Sequence, residues 1–172
     1  MSNKTAKGTA LITGASSGIG ATYADRLARR GHDLILVARN HDRLDQLAKR
    51  LTSATGRSIE VVAADLGNKA DVRRVEEILR TDSSITTLVN NAGIGGAAPL
   101  LDSDPDRMEA MIELNVTALT RLTYAIAPKF VARGGGTIIN ISSMVAVAPE
   151  VFERRLRRHQ GVRAGIQPVT AA

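Results

Sequence analysis

Hydrophobic residues along this chain fall into two alternating textures. Short unbroken aliphatic runs suit strands buried on both faces, and longer stretches with apolar residues three and four apart suit amphipathic helices. Ala10–Thr13 is the first run, and it ends in the turn Thr-Gly-Ala-Ser-Ser-Gly-Ile-Gly at 13–20. The pattern then predicts a helix over Ala21–Arg30 closed by Gly31, a strand over Leu34–Ala38, and a helix from His41 to about Leu51. Ile59–Ala63, Thr87–Val89 and Thr137–Ile141 read as further strands, with a helix over Asp71–Leu79 between the first two. Asp104 as a cap and Pro105 in the first turn open a long helix to Arg133, where Gly134-Gly135-Gly136 breaks it. Strand-helix alternation through five strands predicts an α/β fold with a doubly wound parallel sheet. No repeat and no linker interrupts the chain before residue 150.

Composition narrows the setting. The 172 residues make one ordinary domain, and with only 2% aromatics its core must be filled by aliphatic side chains and alanine. The chain has no cysteine, which excludes disulfides, thiolate nucleophiles and thiolate metal sites and suits a reducing cytoplasm. No apolar run approaches the roughly 18 residues of a membrane span, and the first ten residues lack a signal-peptide core. The expectation is a cytoplasmic protein without a membrane partner. The net charge of +6 hints at nucleic acid until it is divided by segment: residues 153–172 carry five Arg against one Glu. No aromatics are interleaved with Arg154-Arg155 and Arg157-Arg158 for base stacking, so no nucleic-acid partner is expected.

The glycine-rich turn is the first piece of chemistry. Gly14, Gly18 and Gly20 lie between a strand and a helix, a context that lets backbone N–H groups face a pyrophosphate at the helix N-terminus. An acid at the end of the second strand would bind ribose hydroxyls. Here the stretch is Val37-Ala38-Arg39-Asn40, without a carboxylate, and Arg39 suits the 2′-phosphate of NADP. Asp65-Leu66 follows the third strand and Asn90-Asn91-Ala92-Gly93 the fourth, so these segments emerge at the same carboxyl edge.

Together with Asn115 in the long helix and Ile-Asn-Ile-Ser-Ser at 139–143, these pieces resemble the classical short-chain dehydrogenase/reductase family in order and spacing from residue 8 to about 152. The resemblance implies a Rossmann-like domain over 1–152, incomplete at the C-terminus, and a hydride transfer between a nicotinamide and a small carbonyl or alcohol substrate. It implies that Thr13, Gly14, Ser16, Ser17, Gly18, Ile19 and Gly20 hold the cofactor phosphates and that Arg39 selects NADP(H) over NAD(H). By the same resemblance Asp65 and Leu66 contact the adenine, while Asn91, Ala92 and Gly93 line the ribose. Ser143 would hydrogen-bond the substrate carbonyl, and Asn115 would order a water in the proton relay. No metal is implied. The intact family member is expected to be a homo-oligomer, and this chain monomeric or aggregating.

The family pattern also requires Tyr-x-x-x-Lys, thirteen residues after the serine. Those places hold Leu156 and Gln160, and neither a tyrosine nor a lysine occurs anywhere after Lys129. The tail at 153–172 departs from the family in composition as well, and a one-base frameshift near residue 153 is the expected cause. Codons such as GAA CGG CGT CTA CGG CGC CAC CAA GGC would encode the sequence from Glu153. Read one base later they give Asn-Gly-Val-Tyr-Gly-Ala-Thr-Lys, which restores Tyr and Lys at the two required places. The sequence thus leaves two classes open: a reductase whose product is damaged and inactive, or a non-catalytic NADP(H)-binding module or redox sensor with a basic tail. Other signals yield to simpler readings. Asp102, Asp104, Asp106 and Glu113 mimic a calcium loop, but Arg107 stands where that loop needs glycine, and helix capping accounts for the acids.

Overall fold

The computed structural model describes residues 7–95 and 102–143. Chain contacts divide the protein into two units, Met1–Asn140 and Ile141–Ala172. In the second unit only Ile141, Ser142 and Ser143 are described, so Leu156, Gln160 and the basic tail lie outside the described residues.

The first unit is a five-stranded parallel sheet in the order β3-β2-β1-β4-β5, with helices on both faces. Its strands are β1 (Thr9–Thr13), β2 (Asp33–Ala38), β3 (Ile59–Ala63), β4 (Ile85–Asn90) and β5 (Thr137–Asn140). The unbroken aliphatic runs occupy the middle of the sheet: all of β1 is buried, and so is β2 from Leu34 to Ala38. The edge strands β3 and β5 are more open, and Val62 is the one buried residue of β3. Successive strand residues point to opposite faces. Leu11, Ile35 and Val37 therefore join a core with Val75, Leu79, Leu122 and Ile126, while Ile12, Leu34 and Leu36 turn to the other face. There α1 (Gly18–Arg29) and α2 (His41–Thr55) pack, and Leu44 and Leu51 of α2 are wholly buried. Truncating either to alanine removes about 2–5 kcal/mol.

Several helix bounds differ from those the pattern predicts. α1 begins at Gly18 rather than Ala21, because Ala21 N already bonds back to the Ser17 carbonyl, with Gly18 turning into the helix at φ +55°. α2 runs on to Thr55, where Gly56 at φ +68° ends it in a left-handed cap. α3 (Lys69–Thr81) starts earlier because Asn68 caps it, accepting from the backbone amides of Ala70 and Asp71.

The largest correction concerns the long helix. Asp104 does cap its start, accepting from Asp106 N, and Pro105 occupies the first turn. The helical run is unbroken to Ala132, as the pattern predicts, but it is not α-helical throughout. It comprises α4 (Pro105–Ile112), a π-helical turn over Glu113–Ala118, and α5 (Leu119–Ala132). The wide turn lets Asn115 bond back to Ile94 while Leu122, Ile126 and Phe130 remain on the core face. β5 likewise stops at Asn140, one residue short of the predicted Ile141.

Polar braces fix α5 against α3. Glu76, 3% exposed, is held by Arg121 Nε at 2.6 Å and by Arg80 at 3.2 Å. Lys129 Nζ donates to the carbonyls of Leu79 and Asp82, both at 2.8 Å, and so closes the C-terminal end of α3.

Candidate nucleotide-binding cleft

The strand order reverses direction at β1, so the crossovers on either side leave a crevice at the carboxyl ends of the strands. A cleft of about 530 Å³ opens there.

Its floor is the glycine turn. Gly14 (φ +64°) and Gly18 (φ +55°) adopt backbone conformations that favour glycine. Gly14 and Gly20 are also demanded by packing. A Cβ on Gly14 would stand 2.8 Å from Asn91 Nδ2, and one on Gly20 would strike the Gly14 carbonyl and the same amide. The end of β4 is stitched to this turn. Asn91 Nδ2 donates to the carbonyls of Thr13 at 2.9 Å and Gly14 at 3.1 Å. Thr13 Oγ1 accepts from the amides of Asn91 and Ala92 and donates to the Val89 carbonyl. Thr13 and Gly20 are thus buried behind the turn, whereas Gly14, Ser16, Ser17 and Ile19 border the cleft and Gly18 faces open space.

One feature of α1 sets it apart from the other capped starts. Side chains cap α2, α3 and α4, but Ser17 makes no capping hydrogen bond and the first turn of α1 carries no acid. The orphan amides at this helix start are left for an anion, which the helix dipole also favours.

Arg39 at the end of β2 and Arg43 in the first turn of α2 border the cleft, and both are exposed. The ion pairs of the described residues involve Asp25–Arg29, His41–Asp45, Asp71–Arg74 and the Glu76 cluster, leaving Arg39 and Arg43 without a carboxylate. Asn40 is engaged as the α2 cap, accepting from Arg43 N at 2.9 Å. The opposite wall is Ala64, Asp65 and Leu66, with Asp65 Oδ1 accepting from Gly67 N. Ala92, Gly93, Ile94 and Leu114 complete the lining. Asn115 stands behind Gly93, where an added Cβ would come within 3.1 Å of its Oδ1.

Ser142 and Ser143 follow β5 in the chain and are both exposed. Sequence reasoning did not identify Arg43, Ala64, Ile94 or Leu114. Arg43 had a legible signal, a cation in the first turn of the helix after Arg39. Ile94 and Leu114 had none, because only the fold brings them to the cleft.

The sequence profile of the short chain dehydrogenase family matches residues 8–153. The chain belongs to that family. A short-chain dehydrogenase from Sphingobium yanoikuyae, solved in complex with NADPH, is 53% identical, superposes with a TM-score of 0.81, and is matched over 84% of this chain and 57% of its own. L-sorbose reductase from Gluconobacter frateurii, solved with NADPH and L-sorbose, is 34% identical with a TM-score of 0.78 over 90% of this chain and 62% of its own. Among curated short-chain dehydrogenase relatives, a very-long-chain 3-oxoacyl-CoA reductase from Anas platyrhynchos is 35% identical over 81% of this chain and 46% of its own. The chain therefore spans about half the length of the curated relatives it matches.

Proposed function

We propose that the cleft binds NADP(H) in preference to NAD(H), and that the protein belongs to a reductase passing hydride between the nicotinamide and a small carbonyl or alcohol. The observation that carries the reading is Arg39, which borders the cleft at the end of β2 without an acid partner among the described residues. A guanidinium fork pairs with a phosphate, whereas a carboxylate at this place would bind ribose hydroxyls and repel one. The donor set fits the rest of the dinucleotide. The uncapped start of α1, with Ser16 and Ser17, takes the pyrophosphate; Asp65 and Leu66 take the adenine; Ala92 and Gly93 take a ribose; Asn91 holds the turn. The bound cofactor supplies the hydride. The NADPH complexes of two similar proteins support this choice. In the family pattern Ser143 engages the substrate carbonyl and Asn115 orders a water.

As written, the chain binds without turnover. Leu156 and Gln160 stand in the places of the family's tyrosine and lysine, and neither can protonate a developing alkoxide. Loss of a general acid costs about 10²–10⁴-fold. The same absence favours a second reading, a non-catalytic NADP(H) sensor, and DNA sequence across codons 150–172 separates the two. An intact Tyr-x-x-x-Lys frame supports the reductase. Ile112, Val116, Tyr124 and Val131, all more than half exposed along α4, the π turn and α5, support self-association.

The test is calorimetric titration of each dinucleotide into the chain, followed by NADPH oxidation on a panel of aldehydes and ketones. Equal or reversed affinities overturn the cofactor assignment. Turnover matching that of the frame-restored protein overturns the assignment of inactivity.

A further inference from the structure

The wall formed by Asp65 and Leu66 has an anchor of its own. β3 is an edge strand, paired on one side with β2 and open on the other. Beyond its last pair, Ala64 N still donates to the Ala38 carbonyl of β2 at 3.0 Å. Backbone groups alternate in direction along a strand, so the Ala63 carbonyl and the Asp65 amide face the open edge. Among the described residues no strand receives them there. Two side chains of α3 do so instead: Asp71 Oδ2 accepts from Asp65 N at 2.8 Å, and the Arg74 guanidinium donates to the Ala63 carbonyl. Arg74 also pairs with Asp71 Oδ1 at 3.0 Å, which fixes the carboxylate between the two.

We infer that Asp71, oriented by Arg74, is a positioning residue that sets the adenine wall of the cleft. This inference rests on the reading of Asp65 and Leu66 as that wall. Asp71 is not needed to cap its own helix, since Asn68 already takes that role. It also does not border the cleft, so its influence on a nucleotide passes through Asp65. The Asp25–Arg29 pair offers an internal comparison. It too joins a carboxylate and an arginine one helical turn apart on an exposed face, but it holds no strand end.

The experiment titrates NADPH and 2′,5′-ADP, which carries the adenosine half alone, into the full chain and into D71A, D71N, R74A and D25A. All measurements are made well below each variant's thermal transition. D71A weakens both ligands about tenfold, the loss of one charge-assisted hydrogen bond and the order it imposes. D71N restores most of the affinity, because its carbonyl still accepts from Asp65 N. R74A weakens both ligands several-fold and carries the test if D71A does not fold. D25A lowers the melting temperature slightly and leaves both affinities unchanged. If the unaltered chain binds NADPH and both D71A and R74A bind it equally well, this inference alone is overturned. A loss for NADPH that 2′,5′-ADP does not share also overturns it, by placing the effect away from the adenine. Failure of the unaltered chain to bind NADPH overturns the cleft reading and this inference with it.

Discussion

The Asn115 side chain and the Ile94 backbone hold each other twice, with Nδ2 donating to the Ile94 carbonyl at 2.8 Å and Oδ1 accepting from the Ile94 amide at 3.0 Å. This reciprocal pair ties the π turn to the segment leaving β4, across 21 residues of sequence. It leaves one amide hydrogen and one acceptor lone pair on Asn115 for a water.

Replacing Asn115 with alanine is therefore expected to cost about 1–3 kcal/mol, two ordinary hydrogen bonds in a partly exposed setting. Asn115→Asp should be worse, because a carboxylate keeps the acceptor but places charge against the Ile94 carbonyl. Urea denaturation of the three proteins gives the ranking. An unaltered midpoint for Asn115→Ala would show that the pair contributes nothing to stability.

Two glycines of the same turn should respond differently to alanine. At Gly20 the new methyl meets the Gly14 carbonyl and the Asn91 amide, neither of which can move without unstitching β4 from β1. Overpacking of this kind costs about 1–3 kcal/mol, and NADPH binding should be lost. At Gly18 nothing lies within 4 Å, so alanine meets only the strain of φ +55°. That strain is about 1–2 kcal/mol. Thermal melts with NADPH titrations on both variants test the contrast, and equal effects on binding would contradict it.

The order of strands and helices was legible because each signal is local. Leu34–Ala38 is an aliphatic run whatever it packs against, and Gly31 and the glycine triple at 134–136 punctuate regardless of context. The long-range devices were not legible. The π turn inserts one residue into an otherwise helical pattern, and what stabilises it is Ile94 on a different segment. Glu76 and Arg121 are 45 residues apart, and nothing in either helix alone marks the acid as buried. In the cleft, Arg39 could be read from its place at a strand end. Leu114 and Ala64 needed the sheet order to bring them there.

His32 should make the fold sensitive to mild acid. Burial, and then the charge of Lys7, hold its pKa below the ordinary 6.5, against a weaker opposing hydrogen bond with the Gly8 backbone. The unfolded chain therefore binds this proton more readily than the folded one. The His32 contribution is fully present above pH 6.5 and is lost as pH falls through the depressed folded value. Denaturation midpoints of the chain and of His32→Gln should diverge in slope below pH 6.5. Parallel slopes would remove His32 as the cause.

Arg39→Asp should weaken NADPH by about 10–100-fold, since a charge-assisted contact is lost and a repulsive one gained. NADH should gain or hold its affinity, because an acid at this place accepts from the ribose hydroxyls. The discrimination of the unaltered chain should also shrink as salt rises, given that Arg39 is exposed. Binding of NADPH that ignores both the substitution and the salt would place the phosphate elsewhere.

The Glu76 cluster should be strongly non-additive. The carboxylate is almost wholly buried and has two arginines, Arg121 from α5 and Arg80 from α3, each about half exposed. Removing Arg80 leaves Arg121 at 2.6 and 3.0 Å, so the acid remains paired and the loss should be near 1 kcal/mol. Removing Arg121 also cuts the α3–α5 link, but Arg80 still neutralises the charge, and about 1–2 kcal/mol is expected. Removing both leaves a buried carboxylate with no cation, and breaking such a pair costs about 3–5 kcal/mol. The double variant should therefore lose more than the two single losses combined. Replacing Glu76 itself with leucine should be milder than the double variant, because the arginines left behind can turn to solvent. Urea midpoints for the four proteins close the cycle. Additive losses would mean that water reaches Glu76 once either arginine is gone, and that the helix pair is held by its apolar contacts and Lys129 alone.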